Sequence, residues 1–223
     1  MSLLFLITAL LIAIVDWFAV IKSWRWLEYC AKPAVILALL AWVGVLGGFQ
    51  GPMLWFTLGL LFSLAGDVLL MLPNEQFVAG LVSFSLGQLC YMLGFSADGL
   101  ILNLPILVLA LVVLFTAARI YRRISTCLPA DEKSSLQIPI LFYSVVISLM
   151  LLSALTTFVR PEWRFSAAFV ASCGALLFFL SDTLLAWNRF VTPLPKGRLF
   201  TMMAYHLGQI GIAVGATLHY FLH

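Results

Sequence analysis

The chain has 223 residues, 64% of them hydrophobic and only 9% charged, with a net charge of +3. A soluble domain of that length cannot hide so much apolar surface, because its surface is too large relative to its volume. Composition therefore excludes a soluble globular protein, and the small, dispersed charge excludes a nucleic-acid binder; what remains is an integral membrane protein.

Eight apolar segments succeed one another, at about 3–21, 33–50, 54–72, 77–95, 100–118, 138–159, 164–187 and 199–221, each near the ~20 residues that cross a bilayer. The first is too long for the apolar stretch of a cleaved signal and lacks a small-residue cleavage site, so it is read as a retained helix. Connections are short, and the longest carries "RIYRRISTCLPADEKSS". The expectation is an all-α polytopic membrane protein, one bundle of eight transmembrane helices forming a single domain over 1–223. Cys30, Cys90, Cys127 and Cys173 form no C-x-x-C or Cys/His cluster, so neither a disulfide framework nor a metal site is expected.

Lysine and arginine set the orientation. With the 1–2, 3–4, 5–6 and 7–8 connections in the cytoplasm, that side holds Lys22, Arg25, Lys32, Arg119, Arg122, Arg123, Lys133, Arg189, Lys196 and Arg198. The other side keeps Arg160 and Arg164. Both termini are then expected outside. Trp24, Trp26 and Trp187 fall near the inner interface and Trp55 and Trp163 near the outer, as aromatic belts do. Short loops and the lack of a targeting segment suit a bacterial inner membrane.

Helices 3–4 and 7–8 look related. "GDVLLM" echoes "SDTLLA" and "LGQLCYMLG" echoes "LGQIGIAVG", with the aspartates 115 and the glutamines 121 residues apart. "AKPAVIL" and "LQIPILF" add a fainter match between helices 2 and 6. An offset of four helices makes any duplication a parallel 4+4 repeat.

Depth carries the functional argument. Asp16, Asp67 and Asp182 each lie about five residues before the cytoplasmic end of a helix, or roughly 7–8 Å below the boundary at ~1.5 Å per residue. Helix 8 brings Tyr205, His206 and Gln209 to similar or greater depth, helix 4 brings Gln88, and Lys32 is placed at the mouth, at the start of helix 2. The outer half is expected to hold almost no polar groups. A carboxylate inside a bilayer costs about 2.5–3.5 kcal/mol on insertion scales, so an intramembrane acid is a functional hypothesis by default.

Blander readings apply elsewhere. Asp16 can pair with Lys22 or Lys32 and is read as structural. His206 serves equally well as a satisfied core histidine or a proton carrier, and Gln88 and Gln209 as helix-bridging groups or as orienters of substrate. Asp98, Asp131 and Glu132 are assigned to solvated loops, and His219 and His223 receive no role. An intramembrane aspartyl protease needs G-x-G-D, whereas this chain has Leu64-Ala65-Gly66-Asp67 and no P-A-L-like segment.

Five pieces in order carry a resemblance: Lys32-Pro33, "GDVLLMLP", "GLVSFSLGQLCYM", "GALLFFLSDTLLAWNRF", and the Tyr205 and Gln209 of "YHLGQIGIA". With them the chain resembles the lysoplasmalogenase (YhhN-like) family of eight-helix membrane proteins over most of its length. It departs at Gln88, where many members carry histidine. The resemblance implies hydrolysis of the vinyl ether of a lysoplasmalogen to a fatty aldehyde and glycerophospho-ethanolamine or -choline, with a lysophospholipid as partner and no cofactor or metal. Vinyl ethers hydrolyse by proton delivery to carbon, which leaves an oxocarbenium ion. That chemistry needs a protonated acid and a second carboxylate, as glycosidases need for a related cation. Asp67 and Asp182 are the expected acid–base pair. Lys32 and Arg189 are expected at the phosphate, and Tyr205, Gln88, Gln209, Asn188 and His206 are further substrate-binding candidates. The competing expectation is a proton-coupled transporter using the buried aspartates as a relay.

Overall fold

A computed structural model describes residues 2–72, 76–99, 101, 103–130 and 133–221. Asp131, Glu132, His223 and the Pro73 of "GDVLLMLP" lie outside the described residues. Among those described, eight helices are long and apolar enough to cross a membrane, and no strand occurs. They are α1 (Ser2–Lys22), α2 (Arg25–Val45), α3 (Met53–Met71), α4 (Phe77–Phe95), α5 (Leu104–Cys127), α6 (Lys133–Thr156), α7 (Phe165–Phe190) and α8 (Gly197–Tyr220), with a 3-10 turn, Thr157–Val159, closing α6. The protein is an integral membrane protein of the all-helical class.

The boundaries of α2, α5 and α6 differ most from expectation. α2 begins at Arg25, eight residues before Pro33, so that proline lies inside the helix. α5 continues through the arginines to Cys127, and α6 begins at Lys133 rather than near 138. Hydropathy marks where a helix leaves hydrocarbon. Arginine and lysine are good helix formers that carry the helix on into the polar layer.

The bundle has a centre and a margin. In α4, 61% of the apolar span is buried against other helices; in α5 the share is 17%, and α5 rests chiefly on α6 and more lightly on α7. Leu107, Leu111 and Phe115 of α5 face outward into the lipid-facing perimeter.

Two hairpins form the tight core of the fold: α3 with α4, and α7 with α8, the most extensively packed pair. Both depend on glycine at the crossing. A Cβ on Gly87 of α4 would meet the Gly59 carbonyl oxygen of α3 at 3.0 Å, and a Cβ on Gly208 of α8 would meet the Gly174 carbonyl oxygen of α7 at 3.1 Å. Backbones approach this closely where small residues line a membrane helix interface.

Candidate active site

Asp67 sits near the end of α3 with no solvent exposure. The Lys32 ammonium of α2 lies 2.9 Å from its Oδ1, and the Tyr205 hydroxyl of α8 donates to its Oδ2 at 2.7 Å. Lys32 is therefore not at the mouth. The early start of α2 carries it two turns into the helix, where it is 7% exposed and ion-paired within the bundle. A buried carboxylate in such surroundings is tolerable only when paired.

Asp182 on α7 has neutral partners. The Tyr143 hydroxyl of α6 donates to its Oδ2, and Gln88 Nε2 of α4 donates to the same oxygen at 3.3 Å. Gln88 Nε2 also donates to the Tyr143 hydroxyl at 2.7 Å, closing a three-membered network on that oxygen. Asp182 lies within electrostatic range of both Asp67 and Lys32. Tyr143 was not legible in the sequence; the one available signal was its place one turn beyond Pro139, in the helix matched to α2.

Both aspartates line one cavity. Its walls are otherwise mostly apolar and include Phe77, Leu81, Phe84, Ile120, Ile124 and Phe190, with Lys32, Tyr143 and Tyr205 beside the acids and residues from every helix except α1. At Lys32, Leu70, Phe77 and Thr201 this chamber meets a second one, a vestibule of about 770 Å³ lined by Arg25, Glu28, Asn188, Arg189 and Arg198. The paired site thus joins an oily pocket to a charged opening.

The other expected site residues are distributed as follows. Asn188 and Arg189 line the vestibule, and Arg189 lies over the Phe77 ring at 4.2 Å. Gln209 stands one helical turn beyond Tyr205, where its Oε1 accepts from the Tyr91 hydroxyl at 2.6 Å. His206 lies outside both chambers: one residue past Tyr205, α8 has turned by roughly 100°. It faces α1, where Trp17 Nε1 donates to its Nδ1 at 3.2 Å and Asp16 Oδ2 lies 3.9 Å away. Asp16 accordingly pairs with neither Lys22 nor Lys32. Among the described residues, no three His, Cys, Asp or Glu side chains gather as a metal site requires.

The outer end also corrects expectation. Asp98 is an exposed loop acid, as expected, but it has partners. It accepts from Trp163 Nε1 at 3.0 Å and bonds His219 Nε2 at 3.0 Å, while the His219 ring stacks on Trp163 with centroids 3.9 Å apart. Nearby, Arg160 is 2% exposed and donates to the Phe95 carbonyl; burial lowers its guanidinium from the ordinary value. This cluster clamps the α4–α5, α6–α7 and α8 ends together. Between it and the aspartates stands Phe56, wholly buried and packed against Tyr91, Phe95 and Tyr220 at ring-centroid distances of 6.1, 5.0 and 6.2 Å. The two polar clusters are separated by an aromatic layer.

Fold and site together define a polytopic helical membrane protein with two carboxylates at the junction of an apolar pocket and a cationic vestibule. The YhhN family model matches residues 27–216, and the chain belongs to that family. Among curated proteins it is 31% identical to lysoplasmalogenase TMEM86B of Sus scrofa over 86% of this chain and 76% of that one. It is 28% identical to lysoplasmalogenase TMEM86B of Homo sapiens, covering 86% and 76%, and 28% identical to lysoplasmalogenase TMEM86A of Homo sapiens, covering 71% and 63%. These relatives are hydrolases by name. No solved structure matches the chain significantly.

Proposed function

We propose that the protein hydrolyses the vinyl ether of lysoplasmalogens, with Asp67 and Asp182 as the acid–base pair. The observation that carries the reading is the placement of both carboxylates on one cavity, at the point where its apolar and charged chambers meet. A lysolipid divides at the same point: its vinyl ether lies between the alkyl chain and the glycerophosphate.

Their surroundings assign the two acids different parts. Asp67 is matched to an ammonium and acts as the carboxylate. Asp182 has only phenol and amide partners, so it is the acid that carries a proton to the substrate. That proton goes to the carbon of the double bond remote from oxygen, and the π electrons form the new C–H bond. The adjoining carbon becomes an oxocarbenium ion, which Asp67 stabilises while accepting a proton from the attacking water. The hemiacetal then breaks its bond to the glycerol oxygen, which takes up a proton; fatty aldehyde and glycerophospho-ethanolamine or -choline depart. Tyr205, Tyr143 and Gln88 orient the carboxylates, with Gln209 and His206 supporting α8 from behind.

The same reading places the vestibule at the cytoplasmic leaflet with both termini outside, in accord with the lysine and arginine distribution, and in a bacterial inner membrane. It also takes the two hairpins as halves of a parallel 4+4 repeat. The transport alternative gains no support: Phe56 packs between the two polar clusters.

The test is aldehyde release by the purified protein in detergent from lysoplasmenyl lipids and from matched lyso-acyl lipids, in D₂O as well as H₂O. Aldehyde is expected from the vinyl ethers alone, with one deuterium at its α-carbon. Asp182→Asn and Asp67→Asn should each lower the rate by about 10²–10⁴-fold, the usual span for a lost acid–base group, with helicity unchanged. Aldehyde release that survives both substitutions overturns the assignment.

A further inference from the structure

Beside the aspartates stands a set of buried polar atoms whose hydrogen bonds are unmade among the described residues. Ser63 lies one helical turn before Asp67 on α3 and is wholly buried, yet its Oγ has no partner. Gln88 Oε1 on α4 and Gln209 Nε2 on α8 are in the same condition, and both side chains are wholly buried too. Each amide is tethered at its other end. Gln88 holds Tyr143 and Asp182 through Nε2, and Gln209 Oε1 accepts from the Tyr91 hydroxyl. Turning either amide over would only exchange which end is free.

The three groups meet from three helices. Ser63 Oγ lies beside the Tyr91 hydroxyl without bonding it, and Gln209 lies beside the Tyr205 hydroxyl that holds Asp67. Gln88 and Tyr91 are three residues apart on α4 and share a face of it. Gly87 leaves Ser63 uncovered from the α4 side, since a Cβ at 87 would lie 3.3 Å from its Oγ. The free atoms are an amide donor, a carbonyl acceptor and a hydroxyl that can do either. Buried polar groups are costly when left unmade, and a cluster of both senses is what an internal water needs.

We propose that Ser63, Gln88 and Gln209 form an internal water site between the two acids, and that its occupant is the water that attacks the oxocarbenium ion. The assignment rests on the lysoplasmalogenase reading and adds to it the source of the nucleophile. The tethers set the position: the Gln209 end adjoins Tyr205 and Asp67, and the Gln88 end adjoins Tyr143 and Asp182. A water held there adds through its oxygen to the cationic carbon and passes a proton to Asp67. A dedicated site matters because the pocket walls are mostly apolar, so the cation forms where bulk water is scarce. Gln209 then has two tasks, one end bracing Tyr91 and the other donating to the water.

Occupancy is read without turnover by hydroxyl-radical footprinting of the whole protein in detergent, in which a bound water struck by X-rays oxidises the side chain beside it. Tyr91 is the reporter, and the equally buried Phe56 and Phe95 are the controls, each scaled to its rate in the unfolded protein. Tyr91 should label well above both controls, and Ser63→Ala should bring it down to their level. Ser63→Ala is the clean variant, because its Oγ bonds nothing else and a merely structural serine would not be missed. Tyr91 labelling no faster than Phe56, or labelling that Ser63→Ala leaves unchanged, overturns the site. The role in turnover is read with a lysoplasmenyl lipid in water containing methanol. Methanol adds through its oxygen to the same cation, passes its proton to Asp67 and leaves a mixed acetal in place of aldehyde. Ser63→Ala should raise the ratio of acetal to aldehyde by about three- to tenfold, the worth of one hydrogen bond to the water. Gln209→Leu should raise it as well, with kcat lowered and KM unchanged. If labelling falls while the product ratio stays the same, the water is structural and the proposal fails. Failure of the parent protein to release aldehyde, with Tyr91 labelled as expected, would count against the chemistry and leave the water site standing.

Discussion

The α3–α4 and α7–α8 hairpins invite comparison because equivalent positions make equivalent contacts and end in different electrostatics. Gly59 and Gly174 differ by the same 115 residues as Asp67 and Asp182, and Gly87 and Gly208 by the same 121 as Gln88 and Gln209. The crossing contacts correspond too: Gly87 on the Gly59 carbonyl matches Gly208 on the Gly174 carbonyl, and Gly94 on Phe56 matches Gly215 on Ala171. Each aspartate is held by the second helix of its own half and by one helix of the other half. Asp67 takes Lys32 from α2 and Tyr205 from α8; Asp182 takes Tyr143 from α6 and Gln88 from α4. The crossing contacts correspond while the partner set diverges, one acid meeting a cation and the other meeting neutral donors. A pair of like residues in like backbones thereby becomes two chemically unlike groups.

The sharpest way to break the comparison is to remove the cation. Lys32→Met strands a buried carboxylate and should destabilise the protein by about 3–5 kcal/mol, read as thermal unfolding in detergent. Adding Asp67→Asn should restore most of that loss without restoring turnover. No such cost falls on the other half: Tyr143→Phe removes a neutral donor and should cost about 1–3 kcal/mol at most. Recovery of stability by the double variant is the decisive result; a Lys32→Met protein as stable as the parent would mean the ion pair is not what holds Asp67.

The scaffold can be tested separately. Gly208→Ala places its Cβ 2.8 Å from the Phe178 backbone nitrogen and 3.1 Å from the Gly174 oxygen, whereas Gly87→Ala meets the Gly59 oxygen at 3.0 Å and then the Ser63 hydroxyl at 3.3 Å. Both should destabilise by about 1–3 kcal/mol, with Gly208→Ala the worse because both near neighbours are backbone and cannot rotate aside. Equal tolerance of the two would mean that the crossings are not equivalently tight.

The smallest effect is expected at the family's point of departure. Gln88→His keeps a ring N–H donor toward Asp182 and should change aldehyde release by about fivefold or less, whereas Gln88→Leu removes it and should cost about tenfold, the worth of a hydrogen bond to a charged or polarised group. If His and Leu behave alike, Gln88 acts by shape and not as a donor.

Much of this was legible in the chain. Long apolar runs broken by Gly, Pro and charge gave α4 at Phe77–Phe95 as expected and α3 within a residue. Asp67, Asp182, Lys32, Gln88 and Tyr205 were visible because a polar residue in a hydrocarbon-length run stands out by cost alone. Tyr143, Tyr91 and the Asp98–His219 pair were not. A tyrosine is ordinary in a membrane helix, and an acid or histidine near a span end is ordinarily wet. What gave these residues partners was helix rotation and neighbour order, which periodicity within one segment does not contain. The same gap explains Lys32: its depth depended on where α2 begins, and Pro33 suggested a start that the helix passes through.

The loose seating of α5 has a consequence for traffic. Ile120 and Ile124 form part of the pocket wall from the helix with the smallest buried share, so the oily chamber is bounded there by a lightly packed helix; on the proposed reading that wall faces the bilayer and the charged vestibule faces the aqueous layer. On the proposed chemistry, cleavage yields one fragment that prefers fat and one that prefers water. Each then lies beside its own solvent at the moment the bond is severed, and the enzyme can clear both without the rest of the bundle having to breathe.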